Sequence, residues 1–180
     1  MLRSWHPAAS GLIADLWAME RSRLTSLFST IGEAMTSPLG AMGAGHIRCD
    51  SGGYAMSGST ATIPVGGVIL RKVPEFFSFF GIEATSTEEI DALIRMAMAD
   101  DQVTDIRLNI NSPGGTIAGV DELAATIRKA RDTKPIKAVV QDLAASAAYW
   151  IASQATEIEA SRTSFIGSIG VYRAIVDSSE

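Results

Sequence analysis

Ile106-Arg-Leu-Asn-Ile110-Asn-Ser-Pro-Gly-Gly115-Thr-Ile-Ala-Gly-Val120-Asp-Glu-Leu is the stretch from which the architecture can be read. Ile106 to Ile110 reads as a short strand, Asn111 to Gly115 as a turn, and a helix is expected from about Thr116 to Arg131. Downstream, Pro135 to Val140 reads as the next strand and residues 146–154 as a further helix. Residues 157–160 and 168–172 read as two short strands. Upstream, Ala61 to Leu70 reads as a strand interrupted by Gly66-Gly67. Residues 71–85, with Phe76, Phe77, Phe79 and Phe80, read as an apolar connection. Ser86 then opens a helix, Glu89 three residues on completes a capping box, and Ile90, Leu93, Ile94 and Met98 give that helix an apolar side. Strand and helix in alternation imply an α/β domain with a mainly parallel sheet.

This domain is expected to span 61–180. Residues 11–35 space Leu12, Leu16, Met19, Leu27, Phe28 and Ile31 near the helical period, which predicts one amphipathic helix within 1–35. Residues 36–60 are rich in Gly, Ser, Ala and Met and read as a linker.

The 180 residues are 47% hydrophobic and 19% charged, which fits one globular domain with a sizeable core. A net charge of -5, without a basic patch, argues against a nucleic-acid partner. Cys49 is the only cysteine, which excludes an internal disulfide and a cysteine-based zinc cluster. No histidine and carboxylate cluster has metal-ligand spacing, and Gly114-Gly115 lacks the lysine of a phosphate-binding loop. No segment reaches the apolar length of a membrane span, and Asp15, Glu20, Arg21 and Arg23 break up the apolar centre a secretory signal needs. A cytoplasmic location is expected.

Two loops carry the chemistry. Asn111-Ser-Pro-Gly-Gly115 combines a proline that fixes one backbone angle with glycines that permit close approach of another chain. Alone, it is commonly just a turn. Asp142-Leu-Ala-Ala-Ser146-Ala-Ala-Tyr-Trp150 sets one hydroxyl among four alanines where a strand meets a helix, so little hinders a substrate carbonyl from reaching Ser146. A serine there is more often an ordinary N-cap. Together, at the ends of neighbouring strands, the loops form half of an acyl-transfer centre, a hydroxyl nucleophile beside backbone donors such as the Ala147 N–H. The general base is missing: His6 and His46 lie in the N-terminal arm and linker, and Lys134 and Lys137 begin the preceding strand, at its far end from Ser146.

Asn111-Ser-Pro-Gly-Gly115, Ala144-Ala-Ser-Ala-Ala-Tyr-Trp150 and Gly167-Ser-Ile-Gly-Val171, in this order and spacing, resemble the signal peptide peptidase A family, which includes phage capsid assembly proteases. The resemblance covers residues 61–176. It implies a crotonase-like, Clp-protease-like fold of stacked ββα units, usually oligomeric. It implies a serine endopeptidase with a Ser-Lys dyad, in which Ser146 is the nucleophile and the N–H groups of Gly115 and Ala147 form the oxyanion hole. Ser168 matches the serine that helps hold the base, a lysine kept neutral by burial. No cofactor or metal is implied. The partners implied are a peptide or protein substrate, in the phage branch a capsid or scaffold protein, with virion or prohead association. The family's lysine position falls beyond Glu180, so residues 1–180 alone are expected to be inactive or nearly so.

Two further readings compete. A crotonase-type acyl-CoA enzyme would use carboxylates such as Glu122 or Asp142 and needs no exposed serine. A non-catalytic structural subunit would need no base at all. Phe76 to Phe80 are expected in the core or a subunit contact, with a substrate pocket as the alternative.

Overall fold

The computed structural model describes residues 16–19, 25–27, 29, 53–79 and 81–173. In chain order the strands are β1 (Leu16–Met19), β2 (Ala55–Ser57), β3 (Thr60–Leu70), β4 (Ala84–Ser86), β5 (Asp105–Thr116), β6 (Ile136–Ala145), β7 (Glu157–Ala160), β8 (Phe165–Gly167) and β9 (Tyr172–Arg173). The helices are α1 (Glu75–Phe79), α2 (Thr87–Ala99), α3 (Val120–Ala130) and α4 (Ala147–Ala152).

β3, β5, β6 and β7 run parallel and in that order, and β4 joins β3 in the same direction. The crossovers through α2, α3 and α4 are what parallel neighbours require. The expected α/β class with a mainly parallel sheet is thus what the chain forms. Alternate residues of its inner strands face the core, so Ile63, Ile106, Leu108, Ile110 and Ile136 are all fully enclosed while Pro64, Arg107 and Asn111 on the other face are exposed. The helices complete the core with Ile90, Ile94 and Ala97 from α2 and Val120, Leu123 and Ile127 from α3, at the spacing that keeps one side against the sheet. Each fully buried branched side chain contributes about 1.5–3 kcal/mol relative to exposure. Ser86 caps α2 as read, its Oγ accepting from the Glu89 N–H at 3.3 Å while donating to the Arg71 carbonyl at 2.7 Å.

Several boundaries differ from the reading. The Asn111–Gly115 segment is no turn: β5 runs through it to Thr116, and α3 begins at Val120 behind Gly119, whose φ is 81°. β6 likewise continues past Val140 to Ala145. Gly66-Gly67 marks an irregularity inside β3, where register against β5 shifts between Gly66 and Val68. A matching shift separates Ile110 from Ser112 in the pairing of β5 with β6. β6 bends there too, pairing with β7 through Lys137–Val140 and with β8 through Leu143–Ala145. The three long strands therefore share one crease, and the residues beyond it face new neighbours.

At the N-terminal end, Leu16–Met19 is a strand and not part of one helix over 11–35, because its backbone finds sheet partners in β5 and β9. Residues 25–27 are helical. The expected linker stops short of Thr60, since Ala55–Ser57 already pairs antiparallel with Thr60–Thr62. The remainder of 1–52, including the linker from 36 and Cys49, lies outside the described residues. Phe77 is fully buried and meets Phe76 edge to face at 5.0 Å.

Candidate active site

β6 delivers Ser146 and α4 starts directly after it. The chain makes that turn in one residue: Ser146 has φ 55° and ψ −113°. Positive φ is uncommon outside glycine, and among the described residues the only other non-glycine instance is Ser168, also at 55°. Such strain costs of order 1–3 kcal/mol and persists only where the surroundings hold it. Here the Ser146 N–H donates to the Gly167 carbonyl at 2.8 Å, and the Ser146 carbonyl accepts from the Trp150 N–H at 2.8 Å.

The ordinary N-cap role fails for Ser146, whose side chain makes no capping hydrogen bond to α4. Its Oγ instead donates to the Gly170 carbonyl at 3.3 Å, a long and weak bond that leaves the hydroxyl easy to redirect. Ala144, Ala145, Ala147 and Ala148 around it are buried, and Ser146 itself is 6% exposed. It opens onto a cleft of about 330 Å³ whose walls are mostly apolar, with Tyr149, Trp150, Ile169 and Val171 among them. Ile169 is 85% and Phe165, on β8, 76% exposed.

The Asn111–Gly115 segment lies at the same end of the sheet. Ser112 pairs with Ala144, the last register match between β5 and β6, so two residues further along each strand stand Gly114 and Ser146. Gly114 has φ 95°. Gly115 pairs with Ile69 of β3 so closely that a Cβ would run into the Ile69 carbonyl oxygen, which is the physical reason for a glycine there. Ser112 was quoted in the sequence only as part of the motif, yet it fixes this corner. Fully buried, its Oγ donates to the Gly67 carbonyl at 2.6 Å and accepts from the Gly114 N–H at 3.1 Å. Gly167 and Gly170 are likewise partners of Ser146 that the sequence reading did not single out, although both stand in its third motif. Ser168 follows β8 directly and is exposed.

The chain's four lysines are all held elsewhere or exposed. Lys134 Nζ donates to the Ala97 and Asp100 carbonyls at 2.9 and 2.7 Å, and Lys72 pairs with Glu88. Lys129 is exposed in the last turn of α3. Lys137, at the start of β6, pairs with Glu159 at 2.6 Å. That hydrogen bond, ahead of all other influences, raises its pKa above the ordinary 10.5, the opposite of what a neutral amine base needs. His6 and His46 lie outside the described residues. Glu122 accepts from Arg71 at 3.1 Å in a separate depression bordered by Thr87 and Arg95, and neither Glu122 nor Asp142 lines the Ser146 cleft. Phe76 and Phe77 are absent from that cleft as well. Among the described residues no cluster of three His, Cys, Asp or Glu could hold a metal ion, and no helix is long and apolar enough to cross a membrane.

Residues 128–180 match the model of peptidase family S49. The chain is 38% identical over 118 residues to the head-tail preconnector protein GP5 of Enterobacteria phage P21, covering 66% of this chain and 23% of that protein. It is 32% identical over 121 residues to capsid assembly protease C of Escherichia phage lambda, covering 67% and 27%. With Protease 4 of Salmonella typhi it shares 39% identity over 83 residues, 46% of this chain and 13% of that protein. The chain thus spans about a quarter of the first two relatives. Among solved structures, a probable enoyl-CoA hydratase from Mycobacterium thermoresistibile aligns with TM-score 0.47 and 22% identity over 62% of this chain and 49% of the other. The resemblance drawn from the three motifs is borne out by the family match and these relatives.

Proposed function

For a chain whose residues 128–180 carry peptidase family S49 sequence, we propose serine endopeptidase activity centred on Ser146. The observation that carries this reading is the strained, non-capping Ser146 at the mouth of an apolar cleft, beside a glycine pair. Ser146 Oγ attacks the scissile carbonyl while a neutral lysine takes its proton. The N–H groups of Gly115 and Ala147 receive the developing oxyanion, and the lysine then returns the proton to the leaving amine. Water hydrolyses the acyl-enzyme by the same route in reverse. Ser168 holds the lysine in place, and that lysine is none of the chain's own four, each of which is paired elsewhere or exposed.

The similarity to the two phage proteins supports a capsid or scaffold protein as substrate and a virion or prohead as the place of action. Homo-oligomer formation is supported by the exposed Phe165, Ile166, Ile169 and Val171 around the cleft, an apolar set of the kind that marks protein contact. One observation favours a non-catalytic structural subunit instead: no lysine of the chain is free beside Ser146.

The test is cleavage of casein and of an apolar peptide by the protein extended through its downstream reading frame, together with labelling by a fluorophosphonate. Ser146→Ala is expected to lower kcat about 10⁴–10⁶-fold and to abolish labelling. Equal cleavage by the wild type and Ser146→Ala would remove the nucleophile role. Absence of both cleavage and labelling would favour the structural subunit.

A further inference from the structure

β5 has two edges beyond the crease. One is filled by β3, through Val68 with Gly114 and Ile69 with Gly115. The other belongs to β6 only as far as Ser112, where β6 turns off into Ser146. The vacated edge is taken by β1, antiparallel, with Met19 opposite Gly114, Ala18 opposite Gly115 and Trp17 opposite Thr116. The far edge of β1 pairs with β9 through Leu16 with Arg173 and Trp17 with Tyr172. β9 follows directly after Ile169, Gly170 and Val171, which line the Ser146 cleft. A four-residue segment is therefore inserted between two strands that otherwise share no pairing. It runs from Leu16 toward Met19, so its carboxyl end arrives at the corner where Ser146 stands.

We propose that Leu16–Met19 is an intramolecular occupant of the slot in which the enzyme binds its peptide substrate, and that it must withdraw before a substrate strand can enter. The inference rests on the peptidase reading of Ser146 for its consequence, but the slot itself is a backbone feature. Its chemistry is that of strand addition: with Leu16–Met19 withdrawn, the main-chain edges of Gly114–Thr116 on one side and of Tyr172–Arg173 on the other are open to an extended chain. The glycines at 114 and 115 bring no side chains to the slot. The occupant is held by only five residue pairs, three with β5 and two with β9, which suits a segment that exchanges with substrate. While the slot is filled, apparent substrate affinity falls by the fraction of molecules left open.

Trp17→Pro and Ala18→Pro in the extended protein test this. Successive residues of a strand address opposite neighbours, so one proline removes a hydrogen bond to β5 and the other one to β9. Replacement of Leu16–Met19 by four glycines serves as a variant free of proline strain. A fluorescent peptide of residues 12–24 is titrated against each in a Ser146→Ala background, and peptidase kinetics are measured with Ser146 intact. The expected result is peptide binding by the variants about tenfold tighter than by the wild type, with KM lowered by a similar factor and kcat little changed. Hydrogen exchange at Gly114–Thr116 should speed up in the variants without peptide and slow again with it. If all variants bind the peptide no better than wild type, or lose thermal stability and activity together, Leu16–Met19 is a fixed strand of the sheet and the inference is overturned. If the peptide binds as expected but no form cleaves, the slot stands and the peptidase reading falls.

Discussion

Ser112 joins two bulged strands with a single hydroxyl. Because Oγ donates to the Gly67 carbonyl and accepts from the Gly114 N–H, its loss strands two main-chain groups at a fully buried position. Ser112→Ala is expected to cost about 1–3 kcal/mol in urea unfolding. On the proposed mechanism it should also lower kcat about 10²-fold with KM little changed, because the Gly115 N–H assigned there to the oxyanion would drift. An unaltered kcat would separate this corner from the chemistry. At this scale the sequence was informative where motifs were: Ser146 and Ser168 were singled out, and they are the two non-glycine residues with positive φ among those described. What could not be read was how Ser146 is held, since its partners are carbonyls of Gly167 and Gly170, and a carbonyl leaves no trace in residue type.

Strand ends were the least legible feature at the level of elements. Pro113-Gly114-Gly115 and Gly66-Gly67 look like punctuation, and glycine and proline do usually end strands. Here they mark bulges, where a strand bends yet goes on pairing, and only the partner strand reveals the difference. Helix α2, by contrast, was legible in its start at Ser86 and its apolar side, because both its cap and its apolar stripe are local signals. The bulge in β3 is closed by Thr85 of β4, whose Oγ1 both accepts from the Gly66 N–H at 3.0 Å and donates to the Gly66 carbonyl. Val68 donates to the Glu83 carbonyl beside it at 2.9 Å. Thr85→Val keeps the shape and removes both bonds at a 6% exposed site. A loss of about 2 kcal/mol by chemical denaturation is expected. A change below a few tenths would mean that water replaces the hydroxyl.

Across the whole molecule, the links least visible in the sequence are those between distant segments. β1 meets β5 almost a hundred positions away, and nothing in the local pattern of Leu16–Met19 announces a strand. Tyr54 is a second such link: it packs on the core and donates its hydroxyl to Asp100 at the end of α2 at 2.6 Å. That bond, with a further one from the Gln102 N–H, holds the Asp100 carboxyl below its ordinary 3.8, while the same bond to Asp100 raises Tyr54 above 10.0. A depressed acid stabilises the fold above its unfolded value and ceases to as pH falls through the folded one. A raised phenol stabilises below its unfolded value and ceases to as pH rises. Melting temperature should therefore lose a contribution below pH 3.8 and another above pH 10.0. In Tyr54→Phe the gap to wild type is expected to be constant between these limits and to close outside them. A gap that does not change with pH in calorimetry would mean that the bond's contribution does not depend on the charge of Asp100 or Tyr54.

The angles at Ser146, φ 55° and ψ −113°, are the mirror image of an ordinary extended residue, a shape glycine enters without strain. Glycine at 146 would relieve that strain, and Ser168 shares the positive φ. On the proposed mechanism, the substitution that would most relax this corner, Ser146→Gly, is therefore also the one that removes the nucleophile.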